Sequence, residues 1–88
     1  MKIWKLEMKA SEGYWENSVI TELYKDYVIA KKHLDNHRND FKKQFWTNEN
    51  GDEIPILKFS EDKTDSFICT DGKWTYDYGI FEQEVLES

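Results

Sequence analysis

Apolar and polar residues alternate from the first residues of the chain. Over residues 2–9, Trp4, Leu6 and Met8 share one parity, and Ile3, Lys5, Glu7 and Lys9 share the other. A two-residue period predicts a half-buried strand. Residues 10–17, with Ser11, Glu12, Gly13 and Asn17, read as a loop that carries Tyr14 and Trp15. A second strand is predicted over 18–24, where Val19, Thr21 and Leu23 oppose Ile20, Glu22 and Tyr24. The period then changes. At about 100° per residue, Tyr27, Ala30, Leu34, Phe41 and Phe45 fall in an arc of roughly 60°. Asp26 is placed as N-cap, so an amphipathic helix is predicted over 27–46.

Beyond the helix the punctuation is denser. Residues 47–53 centre on Asn50-Gly51 and read as a turn, 54–59 as a short strand, and 60–65 as a second charged turn. Pro55 lacks an N–H, which assigns its strand to a sheet edge. Asp71-Gly72 is the pair favoured in a two-residue type I′ hairpin, here joining 66–70 to 73–77. That register sets Cys69 opposite Trp74, Phe67 opposite Tyr76 and Ile68 opposite Thr75. Gly79 marks a bulge or bend, after which the chain stays extended to Leu86. The expected order is β-β-α-β-β-β: a single α+β domain over 1–88, with a mainly antiparallel sheet of about five strands and one helix on one face. The terminal strands, being longest, are expected side by side in the middle. The second sheet face stays wet or meets a partner.

Composition sharpens this reading. Eighty-eight residues allow one domain with a thin core. The aromatic share is 16%, too high for a disordered chain. Net charge is −6, and eleven of the twelve cations are Lys. An acidic chain whose one arginine is Arg38 is a poor direct ligand for nucleic acid. The first 46 residues sum to +2 and the last 42 to −8, so the C-terminal half suits a basic protein partner. Cys69 is the one cysteine, which excludes an internal disulfide. With no leader-like opening and no long apolar run, a cytoplasmic location is expected, in a bacterial host given the Lys-, Asn- and Ile-rich usage.

Candidate chemistry is sparse. His33 and His37 stand at i, i+4 and Asp40 follows, but a zinc site needs more ligands than these, so they read as boundary residues with no metal. Cys69 has no histidine in its segment and reads as a structural thiol. The pairs Asp52-Glu53, Glu61-Asp62 and Glu82/Glu84 lie in turns or on one wet strand face, which does not suit acid–base catalysis. No phosphate-binding or nucleophile motif is present, so neither a cofactor nor an enzyme is expected. Lys31, Lys32, Arg38, Lys42 and Lys43 read as the solvated basic back of the helix. The aromatic surplus points instead to binding. The candidate partner-binding residues are Trp15, Trp46 and Tyr78, with the carboxylates Glu61, Asp62, Asp65, Asp77, Glu82 and Glu84.

The layout resembles small accessory proteins encoded by phages and prophages. The opening Met1-Lys2-Ile3-Trp4, the stretch Tyr24-Lys25-Asp26-Tyr27-Val28-Ile29-Ala30 and the ending Tyr78-Gly79-Ile80-Phe81-Glu82-Gln83-Glu84-Val85-Leu86 carry the likeness. The ending is similar to a Y-x-I-x-E-x-x-L form, with Val85 at its last position and Leu86 one residue beyond, and with Phe81-Glu82-Gln83 replacing the usual acidic run. The resemblance implies a fold and a class, not a catalytic site. Such proteins act by binding a host protein, and inhibitors of bacterial immunity, including anti-CRISPR proteins that mimic DNA with carboxylates, are among them. The expected function is therefore a non-enzymatic acidic protein that docks on a basic or nucleic-acid-binding host protein. The alternative is a homo-oligomer that sequesters a small ligand such as a nucleotide.

Overall fold

The computed structural model describes residues 1–13 and 15–86, and of residues 15–17 the backbone alone. In chain order the elements are β1 (Lys2–Glu12), β2 (Trp15–Tyr24), α1 (Tyr27–Lys42), β3 (Phe45–Thr47), β4 (Glu53–Pro55), β5 (Lys58–Asp62), β6 (Ser66–Thr70) and β7 (Trp74–Glu84). Five strands form one antiparallel sheet in the order β2-β1-β7-β6-β5, and β3 pairs with β4 in a separate small sheet. The α+β class, the single helix and the five-stranded antiparallel sheet are as the sequence predicts. So is the pairing of the two longest strands, β1 and β7, inside the sheet.

The core lies between α1 and one sheet face. Leu6 and Met8 of β1, Ile80 of β7, Phe67 and Cys69 of β6, Ala30 and Leu34 of α1, and Leu57 are buried there. Trp4, Tyr24, Tyr27, Phe41, Phe59, Tyr76 and Tyr78 pack around them, half-buried. The predicted parity of β1 therefore holds, and so does the stripe of α1 from Tyr27 to Phe41, while Phe45 lies beyond the helix and is exposed. Asp26 caps the helix as expected, its carboxylate accepting from the Val28 N–H at 2.9 Å. The molecule measures 62 × 29 × 16 Å, with a radius of gyration of 15.5 Å. A compact chain of this length would have about 12 Å. The fold is thus a thin, elongated slab with much surface for its mass.

Several boundaries differ from the prediction. Residues 10–17 are mostly strand: β1 runs on to Glu12 and β2 begins at Trp15, with a register shift between Ala10 and Ser11 that absorbs the polar residues as a bulge. Tyr14 lies outside the described residues. The helix ends at Lys42, four residues early, because Phe45, Trp46 and Thr47 have a competing partner in Glu53, Ile54 and Pro55. Asn48 organises the connecting turn: its side-chain oxygen accepts from the N–H of Asn50 and Asp52 at 2.9 and 3.0 Å. The predicted strand over 54–59 is split. Pro55 closes β4, Leu57 turns into the core, and β5 extends through the supposed turn to Asp62.

The hairpin register also changes. Observed rungs are Thr70 with Thr75, Cys69 with Tyr76, Ile68 with Asp77 and Phe67 with Tyr78. A type I′ turn needs positive φ at both central residues, and Asp71 does not adopt it; Gly72 alone does, at 98°. Asp71 instead accepts from the Lys73 and Trp74 N–H at 2.9 and 2.7 Å, which lengthens the loop and holds its carboxyl below the ordinary carboxylate range. The slip is two residues, so every side chain keeps its predicted face. Gly79 is no bulge, since its rungs to Glu7 and Ser66 are continuous. A Cβ there would lie 3.3 Å from the Phe81 ring, and glycine leaves room for that ring.

Candidate functional site

The predicted carboxylates do not form an array. Asp62 takes Arg38 Nε at 3.3 Å and Lys42 Nζ at 2.7 Å. Asp65 accepts from the Tyr27 hydroxyl, which raises the Tyr27 pKa. Glu61 pairs with Lys63 at 3.1 Å, Glu82 with Lys2 at 3.0 Å, and Glu84 with the N-terminal ammonium at 3.6 Å. These are mostly exposed pairs of small individual worth, yet they neutralise the residues that a DNA mimic would present. Asp77 is exposed on the helix-free face, on a rung with Lys9.

Tyr78 is not an exposed aromatic. It faces the helix, with ring centroids 5.1 Å from Phe67, 5.4 Å from Phe41 and 5.3 Å from His37, and burial raises its pKa. The bend expected to free it is absent, and β7 parity turns it inward. The side chain of Trp15 lies outside the described residues. His33 and His37 pack against aromatics, His33 stacked on Tyr24 at 5.0 Å. Among the described residues no group of three His, Cys, Asp or Glu could hold a metal ion.

The supposed basic back of the helix is largely occupied. Lys31 reaches Asp35 at 2.5 Å and Lys42 reaches Asp62. Arg38 is enclosed, its side chain only 14% exposed. Its guanidinium donates to the Lys63 and Thr64 carbonyls at 2.6 and 3.2 Å, lies 3.5 Å from Asp35, and covers the Phe67 ring at 5.5 Å. Nothing in the one-dimensional pattern shows this, because Lys63 and Thr64 come from a turn 25 residues away. Of the stripe, Lys32 and Lys43 stay exposed outside these pairs.

Cys69 is fully buried on β6, and burial pushes its thiol up to about 11 from an ordinary 9.0. Two outcomes are expected. The native protein at pH 8 should resist a thiol-specific alkylating reagent, and the same protein in denaturant should react at once; fast native labelling would contradict the packing. The folded pKa is raised, so the group's contribution to stability is complete below about 9 and is lost as pH rises toward about 11. The buried tyrosines shift in the same direction, so urea titrations should give falling midpoints across that window.

What remains open is the small sheet. Trp46 is 52% exposed, with Phe45 and Ile56 close to it in exposure. Trp46 and Ile54 share a rung and so a face. The Ile56 N–H donates to the Gln44 carbonyl at 2.9 Å and closes the hairpin base. Residues 44–57 contain Glu49, Asp52 and Glu53 and no Lys or Arg. None of these three carboxylates enters the ion pairs that occupy the other acids. Trp46 was legible as a candidate; Phe45 was read into the helix stripe, and Ile54 and Glu53 were read as strand and turn. The absence of any cation across 44–57 was the available signal.

A further opening lies where β1, β2 and β7 end, a shallow groove of about 450 Å³ lined by Met1, Ile3, Leu23, Tyr24, Lys25, Gln83 and Val85. No helix among the described residues is long and apolar enough to cross a membrane. Comparison with known proteins finds no matching family model, no matching curated protein and no matching solved structure.

Proposed function

We propose that this chain is a non-enzymatic binding protein of the phage or prophage accessory kind, and that its hairpin of residues 44–56 docks on a basic host protein in the bacterial cytoplasm. The observation that carries the reading is the coincidence, on the one hairpin of residues 44–56, of exposed Trp46, Phe45 and Ile56 with the uncompensated Glu49, Asp52 and Glu53. Exposed aromatics serve as anchors in interfaces. A hairpin that carries an exposed tryptophan and three carboxylates fits a surface of lysine and arginine, which offers both cation–π and ion-pair attraction. Inhibition of a nucleic-acid-binding defence protein is one outcome such docking would have. Broad DNA mimicry is the less favoured mode, because Asp62, Asp65, Glu82 and Glu84 are already engaged. The ligand-sequestering alternative loses Lys31, Arg38 and Lys42 of its basic helix back to Asp35 and Asp62, and keeps Lys32 and Lys43.

The test is native mass spectrometry of complexes recovered with the tagged protein from bacterial lysate, wild type against variants. Trp46→Ala should weaken the complex by about 2 kcal/mol, roughly thirtyfold. Glu49→Lys with Glu53→Lys should weaken it further and remove its salt sensitivity. Both variants should keep the wild-type unfolding midpoint, since the altered side chains lie outside the core. A host complex unaffected by either variant would remove the hairpin from the interface.

A further inference from the structure

The small sheet has two edges, and they are unlike. In an antiparallel pair, hydrogen-bonded rungs alternate with rungs whose N–H and C=O groups point outward. The Ile56 N–H donates to the Gln44 carbonyl at 2.9 Å, and the Asn48 N–H to the Asp52 carbonyl at 3.0 Å. These two rungs set the phase. Trp46 and Ile54 form the hydrogen-bonded rung between them, and the backbone groups of Phe45, Thr47, Glu53 and Pro55 point outward. On the β4 side Pro55 has no N–H to offer, which blocks that edge. On the β3 side Phe45 and Thr47 each present an N–H and a C=O, and among the described residues no strand other than β4 pairs with β3. All three residues of β3 are exposed. The strand carries no lysine, proline or bulge, the usual guards of a sheet edge, and only its shortness protects it.

We propose that an extended segment of the basic partner adds to the β3 edge as a third, antiparallel strand, with cations at two alternate positions of that segment. This rests on the hairpin docking proposed above and names how the partner is held. In strand addition the main-chain bonds give affinity and the alternate side chains give specificity. Here the main-chain bonds go to Phe45 and Thr47. Trp46, Asn48, Asp52 and Ile54 share one face, since alternate residues of a strand do. The Asn48 side-chain amide reaches the Asp52 carboxylate on that face, at 3.4 Å. A guest residue opposite Trp46 stands roughly 5 Å from it between Cβ atoms, so an arginine there lies over the indole. Two positions along, opposite Asn48, a second cation faces Asp52. The guest residues between them meet Phe45 and Thr47 on the other face, where β-branched apolar side chains pack well. A second copy of β3 does not fit the same edge: residues 44–57 carry three carboxylates and no cation, so self-pairing sets like charges together.

The probe is the acetylated and amidated peptide Thr-Lys-Val-Arg-Val-Thr, which in this register sets its Arg against Trp46 and its Lys against Asn48. Titrated into the isotope-labelled full chain, it should bind saturably and move the amide protons of Phe45 and Thr47 downfield. Those of Trp46 and Ile54, already bonded within the hairpin, should move less. Methylating the two Val nitrogens of the peptide removes the donors aimed at the Phe45 and Thr47 carbonyls and should weaken binding at least about tenfold. Methylating its Lys and Arg nitrogens, which point away from β3, should cost less than about threefold. Replacing both cations of the peptide by Glu should abolish binding. No binding up to millimolar concentration, equal binding by the two methylated peptides, or shifts that leave Phe45 and Thr47 unmoved each overturn the proposal. Trp46→Ala, measured on the host complex, separates this from the reading it rests on. A complex that needs Trp46, with methylated peptides that bind alike, keeps hairpin docking and removes strand addition.

Discussion

Phe67→Ala is expected to cost about 3–5 kcal/mol of folding free energy. Phe67 is fully buried, and its ring meets Tyr78 at 5.1 Å and Phe41 and Phe59 at 5.8 Å, with the Arg38 guanidinium above it. It is the largest fully buried side chain among the described residues, and it joins β5, β6, β7 and α1. Its removal leaves a cavity that the surrounding rings close only in part. A chain of this length has about 4–13 kcal/mol in total, so the variant should lose roughly a quarter or more of its stability. At about 4–8 °C per kcal/mol, the thermal midpoint should fall by at least roughly 12 °C. Thermal and urea unfolding followed by circular dichroism measure this directly. A loss below about 1 kcal/mol would mean that the aromatic cluster does not hold the helix to the sheet as described.

The second large effect is expected at Arg38. Arg38→Ala should cost about 2–4 kcal/mol, because it leaves the Lys63 and Thr64 carbonyls without their donor and Asp35 and Asp62 without their shared cation. Nε lies close enough to Asp62 for Coulomb attraction but not aligned for a hydrogen bond, so the carbonyl bonds carry most of the loss. Arg38→Lys should recover less than half of it, since one ammonium cannot replace a planar fork that serves two carbonyls and two carboxylates. Lys42→Ala is the comparison. Its pair with Asp62 is exposed at both ends, and the cost should stay within about 1 kcal/mol. Urea denaturation of the three variants separates these values. Equal small losses for Arg38→Ala and Lys42→Ala would return Arg38 to the solvated face that its sequence position suggests.

These two residues show where sequence reading works and where it stops. The hairpin reading sets Phe67 on one strand face with Cys69, read as a structural thiol, and the two do share the buried face although the rung partner of Phe67 is Tyr78, not Tyr76. A two-residue slip preserves parity, so the face survives an error in the turn. Arg38 was assigned to a solvated stripe from its angle around the helix, and that assignment fails because the turn at Lys63 and Thr64 folds over it. Periodicity reports which side of an element a residue occupies. It does not report what another segment brings to that side.

The same division runs through the candidate site. The acidity of the C-terminal half was plain in the sequence, but which carboxylates are engaged was settled by cations from other segments: Arg38 and Lys42 for Asp62, Lys2 for Glu82, and the N-terminus for Glu84. Tyr78 was taken for an exposed aromatic from the flexibility ascribed to Gly79, and the continuous β7 turned it inward. Trp46 was recognised, but as a helix end; its place on a two-stranded sheet depended on residues 53–55 outcompeting the last turn of the helix.

By itself, then, the amino-acid order determined the α+β class, the strand parity, the N-cap, the helix face and the antiparallel partnership of the two long terminal strands. All of these follow from side-chain periods and local backbone preferences, which act over a few residues. Tertiary structure alone decided where the helix stops, which acids remain uncompensated, that Arg38 is enclosed, and that β3 is left with an open edge. Each of these is a competition between segments distant along the chain, and the winner is set by packing and by pairing of backbone groups in three dimensions.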